Sequence, residues 1–238
     1  KYFKNNVMGT VNLLQTMKIN KIKKIIYAAS SSCYGLTRKI PTLEKNEIDT
    51  RYPYAFSKYI GELTIQHWSR VYGIDYVSLR LFNVYGTRSR TNGAYGAALG
   101  IFLKQKLMKK PFTIVGNGKQ KRDFIYVTDV AEAFYNSINK KIKNCVINIG
   151  SGKPKSVNEM VNLIEGEKIF VPKRPGEPDI THANIIKARK ILKWQPKISF
   201  EKGMKYVLHN INYWKNSPLW TKNKIKKATK SWFKYLKK

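Results

Sequence analysis

Apolar and polar positions alternate along this chain with two different periods. In NNVMGTVNLLQTM, residues 5–17, Val7, Val11, Leu13 and Leu14 fall on one side of a helix. KKIIYAAS, residues 23–30, is a short apolar run with β character that ends in small residues, and a loop rich in turn formers follows. A long helix is predicted from Pro53, which suits the first helical position, to Tyr72, with Gly73 as its stop. IDYVSLRLFNVYG, residues 74–86, reads as a second buried strand, and GAYGAALGIFLKQKLMKK, residues 93–110, as a helix. PFTIVGNGKQKRDFIYV, residues 111–127, reads as two short strands around a Gly-Asn-Gly turn. TDVAEAFYNSI (128–138) carries an N-cap candidate and a helix, and NCVINIGS (144–151) is another short strand. Helices alternating with apolar strands predict an α/β fold with a doubly wound parallel sheet over residues 1–153.

Beyond residue 153 the pattern changes. SVNEMVNLIEG is a capped helix, KIFVPKRPGEPD a basic extended turn, and the remainder is helical and irregular, as in a smaller C-terminal lobe over residues 154–238. The last stretch, TKNKIKKATKSWFKYLKK, reads as one basic amphipathic helix that packs Trp232 and Phe233 against the body.

Composition narrows the function classes. A hydrophobic share of 42% with 13% aromatics is that of a globular protein. No apolar run approaches the ~20 residues that span a bilayer, and the stretch that starts at Lys1 does not read as a signal peptide. Cys33 and Cys145 make neither a disulfide framework nor a four-ligand zinc site, so no metal is expected, and a reducing cytoplasm suits them. The net charge of +32 would attract polyanions, but the lysines are scattered among Asn and Ile and read as solvated faces. No zinc-finger spacing or RNA-binding aromatic signature accompanies them, so no specific nucleic-acid partner is expected.

In open parallel sheets the site lies beyond the carboxyl ends of the strands. KKIIYAAS delivers Ser30, Ser31 and Ser32 to that edge, and the next helix starts with Tyr54 and Lys58. Taken alone, a Tyr and a Lys four apart also occur as neighbours on any ordinary helix. A lysine ammonium close to a phenol favours the phenolate, and a nearby serine hydroxyl can hold a substrate oxygen and relay its proton. Together they form a general-base apparatus for taking a proton from an alcohol.

These stretches, in this order, resemble the extended short-chain dehydrogenase/reductase superfamily, specifically its NAD-dependent nucleotide-sugar epimerase/dehydratase group. NNVMGTVNLL looks like that family's helix before the catalytic strand, YAASSSCYG like its serine strand, and YPYAFSK matches its Tyr-x-x-x-Lys motif. LRLFNVYG is similar to the following strand, KRDFIYVTDVAEA to the basic strand and helix beneath the substrate, and RPGEPD to the nucleotide clamp. The resemblance implies a Rossmann-like sheet with NAD as cofactor, a nucleotide sugar (UDP by family default) as substrate, and a homodimer through the NNVMGT and Tyr54 helices. It also implies roles for individual residues. Tyr54 is the base, Lys58 holds the nicotinamide ribose and favours the phenolate, and Ser30 falls on the catalytic Ser/Thr. Asn83 contacts the substrate near its diphosphate, Arg122 and Arg174 grip the diphosphate, and Glu177 meets the nucleotide's ribose hydroxyls. The structural alternatives are a turn cap for Asn83 and an ion pair with Asp123 for Arg122.

Two positions discriminate within the group. The family's 4,6-dehydratases carry an Asp-Glu pair directly after the catalytic Ser/Thr, where this chain has Ser31 and Ser32. The implied reaction is therefore 4-epimerisation through a transient 4-keto sugar. Seven residues after Arg174, a bulky side chain in such epimerases closes the pocket over the sugar's 2-substituent. Thr181 is small and implies room for an N-acetylhexosamine as well as a hexose. Other activities of the group, or a catalytically inactive sugar-nucleotide or polyanion binder, are the alternatives.

The family's Gly-rich dinucleotide fingerprint belongs on the first strand–helix turn, and nothing before Ser30 provides it. The resemblance starts in the middle of the domain, so the N-terminal βαβ units are expected to be missing from these residues. On that expectation the isolated chain binds NAD poorly and is inactive. A titration that gave a tight, stoichiometric NAD complex would refute it.

Overall fold

The computed structural model describes residues 1–89 and 98–235. In chain order the elements are α1 (Gly9–Ile19, entered through a π-helical turn, Lys4–Met8), β1 (Lys24–Ser30), α2 (Pro53–Tyr72), β2 (Asp75–Leu81), β3 (Asn83–Tyr85) and α3 (Ala98–Leu107). They continue with β4 (Phe112–Val115), β5 (Lys121–Arg122), β6 (Phe124–Tyr126), α4 (Val127–Asn136), β7 (Cys145–Ile149), β8 (Lys155–Ser156) and α5 (Val157–Ile164). The last are β9 (Lys168–Val171), α6 (Ile186–Leu192), α7 (Phe200–His209), α8 (Lys222–Ala228) and α9 (Lys230–Tyr235). The fold is α/β, and among the described residues no helix is long and apolar enough to cross a membrane. Part of the helix predicted over 93–110 lies outside the described residues.

Two compact units are built from alternating segments. The first contains Lys1–Phe82, Asp129–Gly152 and His182–Gln195; the second contains Asn83–Thr128, Lys153–Thr181 and Pro196–Lys238. The strand predicted over 74–86 divides at this boundary, because β2 pairs with β1 and β7 whereas β3 pairs with β6.

In the first unit β1, β2 and β7 form a parallel sheet in the order β1-β2-β7. Helix α2 has Pro53 in its first turn and ends at Gly73, whose φ of +65° is the left-handed conformation that glycine adopts without strain. Its buried Ile65 packs with Leu14 and Met17 of α1, Ile25 of β1, and Ile74. The same helix also buries charge. Ala29, Arg80 and Asn148 are register partners across the three strands, and the alanine methyl leaves space beside the guanidinium. Arg80 meets Glu62 of α2 through two hydrogen bonds, Nη2 to Oε1 at 2.6 Å and Nε to Oε2 at 3.1 Å. Ser78, two residues earlier on the same face of β2, donates to Glu62 Oε2 at 3.0 Å. Arg80 Nη1 donates to the Tyr34 hydroxyl at 2.9 Å, which donates onward to Asn148 Oδ1 at 2.8 Å.

In the second unit β3 pairs with β6 and β4 with β9, both parallel, and β5 pairs with β8 antiparallel. Tyr85, Phe102, Phe112, Tyr126, Phe200 and Trp214 lie in its core cluster. The predicted cap of α5 is a reciprocal box, with Ser156 Oγ accepting from the Glu159 N–H and the Glu159 carboxylate accepting from the Ser156 N–H. The Gly-Asn-Gly turn needs its glycines: Gly118 has φ +73°, and a Cβ there would lie 2.1 Å from Asn158 Oδ1. Two expectations are corrected. The stretch read as an extended turn after residue 167 begins with a strand, β9, whose pairing with β4 is non-local. The C-terminal stretch forms two short helices, α8 and α9, interrupted at Thr229, whose buried hydroxyl bonds back to the Ile225 carbonyl at 2.9 Å. Trp232 donates its indole N–H to the Pro175 carbonyl.

Removing one partner of a buried ion pair strands the other charge and typically costs about 3–5 kcal/mol. Glu62→Ala is expected to lower the unfolding free energy by that amount in urea titrations. A loss below ~1 kcal/mol would show that the Arg80 guanidinium finds water or another acceptor.

Candidate functional site

The Tyr-x-x-x-Lys pair stands on the first two turns of α2, and Tyr54, Lys58 and Glu62 follow one another at helical spacing along one side. Tyr54 is 37% exposed, and its ring meets Tyr2 edge-on at 5.5 Å. Among the described residues its hydroxyl makes no hydrogen bond, so it is available to a ligand. Lys58 is half-buried. Its Nζ lies 4.3 Å from the centroid of the Tyr27 ring, and the Tyr27 hydroxyl donates to the Lys58 carbonyl at 3.3 Å. Burial pulls the Lys58 amine down to about 8, opposed by the Glu62 carboxylate one turn along. At neutral pH the amine is still mostly a cation. Burial, with a further push from Glu62, raises the Tyr27 phenol to about 12 and keeps it neutral.

Ser30 is the last residue of β1, where the hydrophobic pattern put it. Its Oγ caps the following 3₁₀ turn, Ser31–Tyr34, by accepting the Ser32 N–H at 3.2 Å, and it shares a hydrogen bond with Ser32 Oγ at 2.8 Å. The serine available at this strand end is thus a hydroxyl pair, Ser30 with Ser32. Sequence reasoning missed that coupling, and it missed the Glu62–Arg80–Tyr34–Asn148 network behind Lys58. An arginine inside the apolar run SLRLF and a glutamate one turn after Lys58 were the available signals.

Asn83, Arg122, Arg174, Glu177 and Thr181 all belong to the second unit. Glu177 gathers the two arginines. Arg174 Nη1 lies 3.0 Å from Oε1, and Arg122 Nη2 lies 3.9 Å from Oε2. The buried Nε of Arg174 has no hydrogen-bond partner among the described residues, so the guanidinium keeps an unused donor. A pocket of about 390 Å³ is lined by Arg122 and Glu177 together with Lys119, Lys173, Asn117 and Gln120. Its cations outnumber its single glutamate and Asp179, which Lys173 pairs at 2.5 Å. A concavity of this sign suits phosphate oxygens. Asn83 and Thr181 are joined directly, Thr181 Oγ1 donating to Asn83 Oδ1 at 3.0 Å.

Lys58 bears on cofactor binding. Its ammonium has three donors, and among the described residues Nζ has an aromatic face beneath it but no hydrogen-bond acceptor. The hydroxyls of a ribose supply such acceptors, so the donor set fits the nicotinamide-ribose end of a dinucleotide.

The lowered Lys58 amine predicts a pH signature. From the usual 10.5 the folded value falls to about 8, so between those limits the unfolded chain holds the extra proton. Stability contributed by this group therefore rises with pH across about 8–10.5, and below 8 the burial penalty is present in full. Lys58→Met is expected to abolish that rise in denaturant melts collected from pH 7 to 10. Identical slopes for both proteins would mean that the amine is not desolvated.

Comparison with known proteins places this arrangement in a lineage. A model of the NAD dependent epimerase/dehydratase family matches residues 1–150. A protein of Methanocaldococcus jannaschii, provisionally named a UDP-glucose 4-epimerase, is 40% identical over 219 residues, covering 89% of this chain and 70% of that protein. The crystal structure of UDP-glucose 4-epimerase from Thermotoga maritima with UDP-glucose superposes with a TM-score of 0.84 at 31% identity, over 88% of this chain and 70% of that one. The UDP-N-acetylglucosamine 4-epimerase from Methanobrevibacter ruminantium, in complex with UDP-N-acetylmuramic acid, gives 0.80 at 30% identity over 88% and 68%. The chain spans about two thirds of the length of its curated relatives. A Tyr-x-x-x-Lys helix beside a serine-ended strand, with this match in sequence and fold, makes the chain a member of the NAD dependent epimerase/dehydratase family.

Proposed function

We propose that these residues supply the base and the diphosphate grip of a nucleotide-sugar 4-epimerase that works on a UDP-hexose or UDP-N-acetylhexosamine through a transient 4-keto sugar. The observation that carries the reading is the exposed Tyr54 hydroxyl one helical turn from a half-buried lysine that is still cationic at neutral pH. Tyr54 takes the proton from the sugar C4 hydroxyl, and Lys58 favours the phenolate by its charge. The Ser30–Ser32 hydroxyl pair holds the same sugar oxygen and passes its proton on. Lys58 and Tyr54 hold the ribose end of NAD, which when bound accepts and returns the C4 hydride. Ser31 and Ser32, standing where a dehydratase needs carboxyl groups, leave the C5 and C6 positions untouched.

Arg122 and Arg174 neutralise the diphosphate, and Glu177 keeps the two guanidinium groups together while offering its carboxylate to the nucleotide's ribose hydroxyls. The small Thr181 admits an acetamido group at the sugar C2. A homodimer through the first helix and α2 belongs to the same reading, supported by Phe3, Met8, Phe56 and Leu63, each at least 43% exposed. The free thiols of Cys33 and Cys145 suit a cytoplasmic setting. The second reading is a sugar-nucleotide binder without turnover.

Calorimetry with UDP separates the roles. Arg122→Ala and Arg174→Ala are each expected to weaken binding about tenfold or more, from a lost charge-assisted hydrogen bond, while Tyr54→Phe leaves it unchanged. In any preparation that interconverts UDP-glucose or UDP-N-acetylglucosamine, Tyr54→Phe is expected to cut turnover by at least ~100-fold. Unchanged turnover excludes Tyr54 as the base, and UDP affinity indifferent to both arginines excludes the grip.

A further inference from the structure

Thr181 attracts attention for its size, yet its hydroxyl is engaged on both sides. Oγ1 accepts the Asp123 backbone N–H at 3.0 Å and donates to Asn83 Oδ1 at 3.0 Å. The Thr181 N–H donates to the Lys121 carbonyl at 3.1 Å, and the Asn83 N–H donates to the Asp123 carbonyl at 3.0 Å. Within the second unit, this one residue therefore ties the segment after the RPGEPD turn to β5, to Asp123 and to the first residue of β3.

The direction of the hydrogen bond to Asn83 has a chemical consequence. A threonine hydroxyl carries one proton, and giving it to Asn83 fixes Oδ1 as the acceptor end of the carboxamide. The opposite end, Nδ2, has two donors and no partner among the described residues. An amide held donor-outward can serve a phosphate oxygen, whereas the flipped amide would turn oxygen lone pairs toward an anion and repel it.

We propose that Thr181 is a positioning residue for nucleotide binding: its hydroxyl holds the Asn83 carboxamide with the NH₂ facing the ligand, so residue 181 acts through a hydrogen bond and not through volume alone. The inference rests on the reading of Asn83 as a diphosphate contact. It extends the role of position 181 from the sugar's 2-substituent to the other end of the substrate.

Isosteric and hydroxyl-retaining substitutions separate the two modes of action. Thr181→Val keeps the shape and loses the hydroxyl, while Thr181→Ser keeps the hydroxyl and loses a methyl. With UDP titrated into this chain by calorimetry, Thr181→Val is expected to weaken binding about tenfold, the worth of one hydrogen bond to a charged group. Thr181→Ser should stay within about twofold of the parent. In an Asn83→Ala background, Thr181→Val should add no further loss, because the hydroxyl acts through the amide. Valine also removes the Thr181 hydroxyl that accepts the Asp123 N–H, so thermal unfolding is followed in parallel, and the serine variant carries the test if valine impairs folding. Affinity that tracks volume, with valine like threonine and serine weaker, overturns the proposal. Equal losses from Thr181→Val with and without Asn83 overturn it as well. If Asn83→Ala alone leaves UDP binding unchanged, the diphosphate reading of Asn83 is what fails, and the inference falls with it.

Discussion

The buried Arg80–Glu62 pair is the constraint on which the first unit depends. Two charged groups taken out of water recover their desolvation cost only if their remaining donors and acceptors are met. Here Glu62 accepts from Arg80 and Ser78, and Arg80 reaches the Tyr34 hydroxyl and the Glu44 carbonyl as well. Those partners sit on α2, on β2, in the turn after β1 and in the loop beyond it, and through Asn148 on β7. Satisfying one guanidinium therefore fixes the register of a helix against two strands and the turn that follows a third. A slip of α2 by one residue would rotate Glu62 about 100° from Arg80 and leave both charges unpaired. Lys58 is one turn from Glu62 and Tyr54 two turns away, so the geometry that satisfies the ion pair also fixes where the candidate base stands.

The second unit uses a carboxylate differently. Glu177 is partly exposed and pairs with Arg174 at 3.0 Å and with Arg122 at 3.9 Å. Such a pair is loose, close to solvent, and weak in stability terms. Its effect is local: a single carboxylate lets two guanidinium groups sit near one another without repulsion driving them apart. A chain with 46 Lys and Arg against 14 Asp and Glu has few carboxylates to assign. Glu62, Glu159 and Glu177 are all spent on holding functional or capping geometry.

Much of this organisation was legible because it is written locally. Proline at the start of α2, glycine at its end, the Ser156–Glu159 box and the Gly-Asn-Gly turn are each a few residues long, and the structure has them where the pattern put them. The misses are non-local. Residues 74–86 read as one mostly apolar run, broken by Asp75, Ser78, Arg80 and Asn83, and nothing in it announces that the chain leaves one sheet after Leu81 and joins another at Asn83. Strand β9 exists because β4 pairs with it, more than 50 residues earlier in the chain. The units alternate along the sequence for the same reason, since spatial neighbours such as Asp123 and Thr181 are far apart in it. For the candidate site, Tyr-x-x-x-Lys and the serine-ended strand pointed to Tyr54, Lys58 and Ser30 as the proposed reactive groups. The partners that set their state, Ser32, Tyr27 and Glu62, depend on packing and carry no spacing signature of their own.

The charge state of Lys58 shows how the two levels meet. A carboxylate one turn along a helix ordinarily raises a lysine's pKa, and Glu62 does act in that sense. Burial nevertheless wins, and the amine falls to about 8. Glu62 is itself engaged elsewhere: Arg80 takes both of its oxygens, at 2.6 and 3.1 Å, and Ser78 takes a further lone pair. Lys58 lies against an aromatic face, a cation at neutral pH whose hydrogen-bond donors are unspent among the described residues.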